Sequence, residues 1–481
     1  MQKDTQARLL ISGHWMLGEE APFETQNPAT GQSNGWVASA SARQVDQAVC
    51  AAWEAVNEPG WREMLPHVRA GLLRKIADGV DAEAEPLAEL QMRENGKIAR
   101  ECKAQVASAS ATFRYYASVC ETLCAEVTPP RGNYLSLTNY QPYGVVAAIT
   151  PWNSPLTMVA QKLAPALAAG NAVVVKPSEV TPLCALALAR IASEAGLPPA
   201  LVNVLTGGPN IGRQLVEHRG VRMVTFTGGT QSGRAIAQAA GARLLPVSLE
   251  LGGKSPHIIW DDARQDAAIE GIVDGIFESS GQSCVAGSRI FVHKAIASTF
   301  VPKLVERART LKVGMPQESG VEMGSIASFL HRDRIEAMVV TAKNDGGTIL
   351  AGGARPDSPD LAHGAFYLPT LITGLDATSK VVREEIFGPV ACILEFEDED
   401  DLVKQANDTV FGLAAGIWTE DMRRAWRVAT RLEAGSVWIN TYKQVAISTP
   451  FGGFKDSGIG REKGLAGMRI YQQAQGIYFG M

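Results

Sequence analysis

Cys284 lies in the run Phe277-Glu278-Ser279-Ser280-Gly281-Gln282-Ser283-Cys284-Val285-Ala286-Gly287-Ser288-Arg289. The small side chains around it leave its sulfur reachable, which a core cysteine rarely is. Upstream, Glu250 stands in Leu249-Glu250-Leu251-Gly252-Gly253-Lys254-Ser255-Pro256. A carboxylate beside two glycines can swing or accept a water. A reachable thiol with a separate base is the equipment of nucleophilic catalysis. A free thiol ionises near pKa ~8.5 and is mostly protonated at neutral pH, so such a cysteine needs local activation.

Three further constellations sit where strands are expected to end. Gly228 and Gly233 bracket the turn Thr227-Gly228-Gly229-Thr230-Gln231-Ser232-Gly233, after a strand and before a helix. Backbone N–H groups there could meet a pyrophosphate, although the spacing is not G-x-G-x-x-G and a plain tight turn would look the same. Gly253-Lys254-Ser255 is not a Walker A loop, because Ser248 stands where its first glycine is required. Lys176-Pro177-Ser178-Glu179 closes a strand. A carboxylate at that place can accept both hydroxyls of an adenosine ribose and would repel a 2′-phosphate; Glu179 could equally be a residue at a helix start. Thr150-Pro151-Trp152-Asn153-Ser154-Pro155 holds an asparagine amide between prolines. That amide could stabilise an oxyanion or cap a helix.

The elements that must position these residues alternate. Much of the first hundred residues reads as helical, with Val68, Leu72, Leu73, Ile76 and Val80 at helical spacing. Strands are expected at 143–149, 172–175, 201–205, 221–226 and 245–251. Helices are expected at 155–167, 181–195 and 234–240. A second alternating set follows Gly253, with strands around 258–260, 290–292, 348–350 and 390–394. Strands alternating with helices predict parallel, doubly wound sheets. Tyr134–Thr138 and Gly476–Phe479 read as an extended flap and a tail strand. They would pair with each other, with a neighbouring subunit, or be surface hairpins.

Composition limits the function. The chain has 481 residues, enough for two or three domains, and 46% hydrophobic against 20% charged residues is ordinary for a globular protein. A net charge of −5 argues against nucleic-acid binding and for a small-molecule substrate. Seven cysteines without a Cys-x-x-Cys suggest reduced thiols in a cytoplasm rather than disulfides or a metal site. Neither a secretory leader nor an apolar run of about 20 residues is evident, so no membrane span is expected. The sequon Asn407-Asp408-Thr409 is then a chance occurrence.

The glutamate and cysteine runs, with Pro151-Trp152-Asn153, Lys176–Glu179, Phe226-Thr227-Gly228-Gly229-Thr230, Glu384-Glu385-Ile386-Phe387-Gly388-Pro389 and Pro450-Phe451-Gly452-Gly453-Phe454-Lys455, match in order and spacing those of the NAD(P)-dependent aldehyde dehydrogenase superfamily. The chain resembles that superfamily over nearly its whole length. The resemblance implies a Rossmann-type domain over 1–124 and 142–251, and a catalytic α/β domain over 252–467. It also implies an oligomerisation element over 125–141 and 468–481, assembling a homodimer or homotetramer.

By position, Cys284 would attack the aldehyde, with the oxyanion facing the Asn153 amide and the Cys284 N–H. Glu250 would activate water to hydrolyse the thioester. NAD, or NADP, would be held by Ile149, Trp152, Lys176, Ser178, Glu179, Gly228, Gly229, Gly233, Leu251, Gly252, Glu385 and Phe387. Lys176 would also belong to the catalytic set, and Glu462 to a proton or water path. Gly229 departs from the serine common in relatives. Ser154, Met158, Gln161, Glu278, Ser283, Val285 and Phe451 would line the aldehyde tunnel, and Ser154, Gln161 and Glu278 would make it wider and more polar. Glu278 would either repel a carboxylate, which favours a small, polar or cationic aldehyde, or simply point to solvent. A CoA-acylating relative would lack Glu250. A cysteine hydrolase would need a histidine base, and His257, the nearest in sequence, is expected only to begin a strand. A retired, non-catalytic fold would not keep Cys284, Glu250, Asn153 and Lys176.

Overall fold

A computed structural model describes residues 6–481. Residues 1–5, on which the absence of a leader was read and with which the first expected domain begins, lie outside the described residues. Uninterrupted β-branched runs make strands buried on both faces, as a helix-covered parallel sheet requires. Val145–Thr150 and Ala172–Pro177 are buried at every position. They join Val202–Val204, Met223–Thr227 and Val247–Glu250 in one parallel sheet. The spatial order is 202–204, 172–177, 145–150, 223–227, 247–250, with antiparallel edges from Leu9–Ile11 and His14–Met16 on one side and Gly458–Ile459 on the other. The direction of winding reverses between Val145–Thr150 and Met223–Thr227. Ligands bind in the crevice beyond the carboxyl ends of strands at such a point.

The second sheet runs Thr348–Ala351, Thr370–Thr373, Val390–Phe396, Arg289–His293, Pro256–Ile259, Ala414–Trp418, Ser436–Ile439. It is parallel throughout except at Thr348–Ala351. Residues 251–255 lead from the carboxyl end of Val247–Glu250 directly to the amino end of Pro256–Ile259. The segments 278–288 and 384–389 likewise lead into the amino ends of Arg289–His293 and Val390–Phe396. The carboxyl edge of the first sheet thus meets the amino edge of the second, and the sequence motifs gather in the seam. Each sheet has its own apolar core. Met468 and Tyr471, from the expected oligomerisation tail, belong to the first core.

The structure departs from the sequence reading at the amino-terminal strands and at one helix. Residues 9–39 hold four short strands, Leu9–Ile11, His14–Met16, Glu20–Gln26 and Ser33–Ser39, and helices begin only at Ala42. These strands are too short for a two-residue period to stand out. The helix expected at 234–240 begins at Thr230 and contains Gly233. Glycine is a poor helix former, but a Cβ at Gly233 would come within 2.3 Å of the Leu251 side chain. Close packing therefore selects glycine there against its propensity. Gln472–Gly480 pairs along its whole length with Tyr134–Pro142, the expected pairing of flap and tail strand, within the same chain. Val127–Thr128 completes this three-stranded sheet. No helix among the described residues is long and apolar enough to cross a membrane.

Candidate active site

Three loops approach each other so closely that only glycine fits at their contacts. A Cβ on Gly253 would lie 2.4 Å from the Cys284 carbonyl oxygen, one on Gly281 2.1 Å from that of Gly388, and one on Gly252 2.3 Å from the Glu385 carboxylate. The glutamate run, the cysteine run and the Glu385–Gly388 run are thereby locked together. Ser279, Ser280 and Gly281 all have positive φ. That turn ends the helix Gln265–Ile276 and presents the cysteine.

Cys284 is partly exposed. Its side chain packs on a cluster of Val285, Leu413, Ala414, Trp438 and Tyr442, which Phe451 also touches. Asn153 follows the strand Val145–Thr150, and its Nδ2 donates to the Gln282 carbonyl at 3.0 Å. Ser154, not Asn153, occupies the N-cap of the helix Pro155–Ala168, so the capping alternative for Asn153 falls. The amide carries a second N–H, free to donate beside the cysteine loop. Burial, then the carboxylates of Glu385 and Glu250, push the Cys284 thiol up to about 12; Lys463 pulls the other way. The resting sulfur is a neutral thiol, so the activation that the sequence demanded is only partly built into these residues.

Glu250 ends its strand opposite Thr227. Both its carboxylate oxygens are buried without a hydrogen-bond partner. Burial and the nearby Glu462 hold its carboxyl well above the usual range, with Lys162, Arg461 and Lys463 partly offsetting them. Glu462 itself is paired with Lys162 at 2.6 Å in a fully buried ion pair, and Lys162 also donates to Thr225 at 3.0 Å. An unpartnered carboxyl of raised pKa near a thiol is the signature of a group that exchanges protons rather than one that braces the fold.

Beyond the switch point lies a cleft of about 730 Å³, whose lining includes Ile149, Trp152, Lys176, Ser178, Glu179, Gly228 and Gly229. Lys176 Nζ lies 3.2 Å from Glu179 Oε2, so the buried lysine has found its partner. Gly229 is the N-cap of the helix Thr230–Gly241, with no side-chain cap and nothing within 4 Å of where its Cβ would be. The helix start leaves its first N–H groups available for an anion. Gly233 and Leu251 pack against each other beside the cleft and line a small hollow of their own. Glu385 and Phe387 lie in the seam instead. Glu385 accepts the Gly253 N–H at 2.9 Å, and burial raises its carboxyl to about 7. Phe387, at φ +58°, stands edge-on to Trp152, the ring centroids 5.2 Å apart, and its carbonyl meets His331 Nε2 at 2.7 Å.

Of the residues expected to line the aldehyde tunnel, Ser154, Gln161 and Val285 are buried, while Met158, Glu278, Ser283 and Phe451 are partly exposed. Glu278 is not a lone charge: Lys443 Nζ lies 3.2 Å from its carboxylate. The expected repulsion of carboxylates by Glu278 therefore loses its basis. Buried Lys97 donates to Ser279 Oγ at 2.7 Å and reaches Ser154 Oγ at 3.4 Å. His257 lies inside the strand Pro256–Ile259, accepts from Trp418 Nε1 at 2.7 Å, and is held neutral by burial. It cannot serve a cysteine hydrolase.

The sequence reading missed Gln282, His331, Lys97, Lys162, Lys443 and Lys463. Lys162 was detectable as the single charge in the apolar helix Pro155–Ala168. The others come from segments whose proximity depends on the closed seam, and no local pattern marks them.

A sequence model described as the aldehyde dehydrogenase family matches residues 15–477. A Burkholderia cenocepacia protein described as an aldehyde dehydrogenase is 40% identical, covering 99% of this chain and 98% of its own, with a TM-score of 0.97. An aldehyde dehydrogenase of Bacillus cereus, solved as an NAD+ complex, is 37% identical over 100% and 98% of the two chains, TM-score 0.97. Betaine aldehyde dehydrogenase of Staphylococcus aureus, also solved with NAD+, is 36% identical over 99% and 95%, TM-score 0.97. The glutamate and cysteine loops, the cleft and these likenesses converge: the chain belongs to the aldehyde dehydrogenase family and is an oxidoreductase acting on aldehydes.

Proposed function

We propose that this enzyme oxidises a small polar aldehyde to its carboxylic acid with NAD, through a covalent intermediate on Cys284. The meeting of the Cys284 and Glu250 loops at Gly253, with the Asn153 amide alongside, carries this proposal. The Cys284 thiol loses its proton to solvent, its thiolate sulfur bonds to the carbonyl carbon, and the resulting oxyanion accepts from the Asn153 amide and the Cys284 N–H. The chemistry supplied by bound NAD is acceptance of the hydride that leaves this thiohemiacetal and turns it into a thioester. Glu250 as carboxylate then takes a proton from water, whose oxygen attacks the thioester carbon. The C–S bond breaks, and the acid leaves Cys284 as its thiolate. The Lys162–Glu462 pair gives Glu250 a buried outlet for that proton.

Lys176, Ser178 and Glu179 would hold the adenosine end of NAD, with Ile149, Trp152, Gly228 and Gly229 lining its cleft. Glu179 disfavours a 2′-phosphate and so favours NAD over NADP. Glu385, Phe387 and Gly252 would hold the nicotinamide end in the seam. Polarity, rather than charge repulsion, selects the substrate: Ser154, Gln161 and the matched Glu278–Lys443 pair suit hydroxyl- or amino-bearing aldehydes. Gln472–Gly480 is a nine-residue edge strand carrying exposed Tyr478 and Phe479. Such an edge suits assembly of copies into a dimer or tetramer. Seven unpaired cysteines suit the cytoplasm.

The test is NADH formation with hydroxy-, amino-, carboxy- and alkyl-aldehydes, with and without CoA. Turnover without CoA and a preference for the hydroxy- or amino-aldehydes are expected. Dependence on CoA would contradict hydrolysis by Glu250, and a preference for alkyl-aldehydes would contradict the polar tunnel. A second outcome concerns the cofactor alone. Gly229 has φ −66°, which any residue adopts, and open space for a side chain. Gly229→Ser should therefore tighten NAD binding about three- to tenfold, since a hydroxyl to a charged phosphate adds one charge-assisted hydrogen bond. Titration of NAD against tryptophan fluorescence measures it; weaker binding would place the phosphates elsewhere.

A further inference from the structure

Lys463 follows the buried Glu462 and has φ +59°, a left-handed conformation that a lysine adopts only when its surroundings impose it. The backbone on both sides is pinned. Glu462 and Phe451 exchange two hydrogen bonds of 2.8 and 2.7 Å, and Gly464 N–H donates to the Ile447 carbonyl at 2.8 Å. This turn carries the Lys463 ammonium to 5.2 Å from the centroid of the Phe451 ring. Phe451 and Cys284 pack on the same cluster of Val285, Leu413, Ala414, Trp438 and Tyr442.

The charges around this point are few. Besides burial, the carboxylates of Glu385 and Glu250 act on Cys284 against its ionisation, and Lys463 acts in favour of it. Glu250 is faced by Glu462, Lys162, Arg461 and Lys463. Burial holds the Lys463 ammonium below the usual lysine range, and Glu462, Cys284 and Glu250 draw it back up. The other cations are committed: Lys162 to Glu462 at 2.6 Å, and Arg461 to the carbonyls of Gly453 and Gly460 at 3.1 and 2.7 Å. Among the described residues Lys463 makes no ion pair or side-chain hydrogen bond; its one close partner is the Phe451 ring.

We propose that Lys463 is a positioning residue for the reaction: its ammonium, held over Phe451 by a strained turn, supplies the positive field in which the Cys284 sulfur ionises. This rests on Cys284 being the nucleophile and adds the residue that prepares it. An opposite charge nearby favours the charged form of an acid, so the cation lowers the pH at which thiolate forms, and its removal raises it. Phe451 holds the ammonium by its ring face without neutralising it.

The test needs no turnover. The full-length enzyme is alkylated with iodoacetamide across a pH series, and modification of the Cys284 peptide is followed by mass spectrometry. This separates it from the exposed Cys50 and Cys124. Lys463→Met should move the alkylation profile up by about one pH unit, so that Cys284 reacts about tenfold more slowly at a fixed pH below the midpoint. Lys463→Arg should keep the wild-type profile. Wild-type enzyme gives a second readout if the methionine variant does not fold. Anionic iodoacetate should gain on neutral iodoacetamide at Cys284 at low ionic strength and lose that gain in high salt. An unchanged profile in a folded Lys463→Met enzyme, or a salt-independent ratio in the wild type, overturns the role of Lys463. Neither outcome bears on Cys284 as nucleophile, which is tested by its own substitution.

Discussion

Cys284→Ala abolishes NADH formation, by on the order of 10⁶-fold as for loss of other enzymic nucleophiles, and leaves NAD affinity unchanged. The asymmetry follows from the architecture. Cys284 sits in the seam, before the strand Arg289–His293, whereas the cleft lined by Lys176, Glu179 and Gly229 belongs to the first sheet. Removing one sulfur beside a cluster of Val285, Leu413 and Tyr442 disturbs little packing. Steady-state rates with a saturating aldehyde give the first quantity, and fluorescence titration with NAD gives the second. Turnover retained within tenfold would remove the thiol from the mechanism. Loss of NAD binding together with activity would mean that the substitution had disturbed the seam.

Glu250→Gln stops the enzyme after one NADH per active site. The amide keeps the shape of the carboxyl but cannot take a proton from water, so the thioester accumulates. Steady-state turnover then falls about 10²–10⁴-fold, the usual contribution of a general base. The pH dependence has a definite sign. Burial and Glu462 hold the Glu250 carboxyl well above the usual range. The base works only when deprotonated, so acyl release in the wild type rises as pH climbs through that raised pKa. In the glutamine variant this limb disappears. Stopped-flow absorbance separates the burst from the slow phase. A variant with unchanged steady-state turnover and an unchanged pH limb would assign the base elsewhere.

Much of this site could be read from the chain because its motifs are loops at strand ends. A strand such as Ala172–Pro177 announces itself as a continuous β-branched run, and the residues just after it must face the crevice. The other parallel strands of the first sheet and four strands of the second were legible for the same reason, whereas Thr370–Thr373, Ala414–Trp418 and Ser436–Ile439 were not read from the sequence. The four short strands in residues 9–39 were not, because three to seven residues with mixed burial give no period to detect. The packing of Gly233 on Leu251 was not legible, because a glycine after a strand looks alike whether it faces a phosphate or a leucine; the 2.3 Å approach of its missing Cβ to Leu251 shows it. The Glu278–Lys443 pair and the field of Lys463 at Cys284 join segments far apart in sequence, so their charges could not be balanced before the seam was seen closed. The raised thiol follows from the same closure: small neighbours in sequence suggested openness, while the folded loops surround the sulfur.

The covalent intermediate on Cys284 is tested most directly by weighing it. Glu250→Gln enzyme is mixed with NAD and aldehyde, quenched in acid after the NADH burst, digested, and the peptide carrying Cys284 is measured. It should gain the mass of the acyl group, one per subunit, and lose it on treatment with hydroxylamine. A burst of NADH with the Cys284 peptide unmodified, or with the acyl group on another cysteine, would contradict the account.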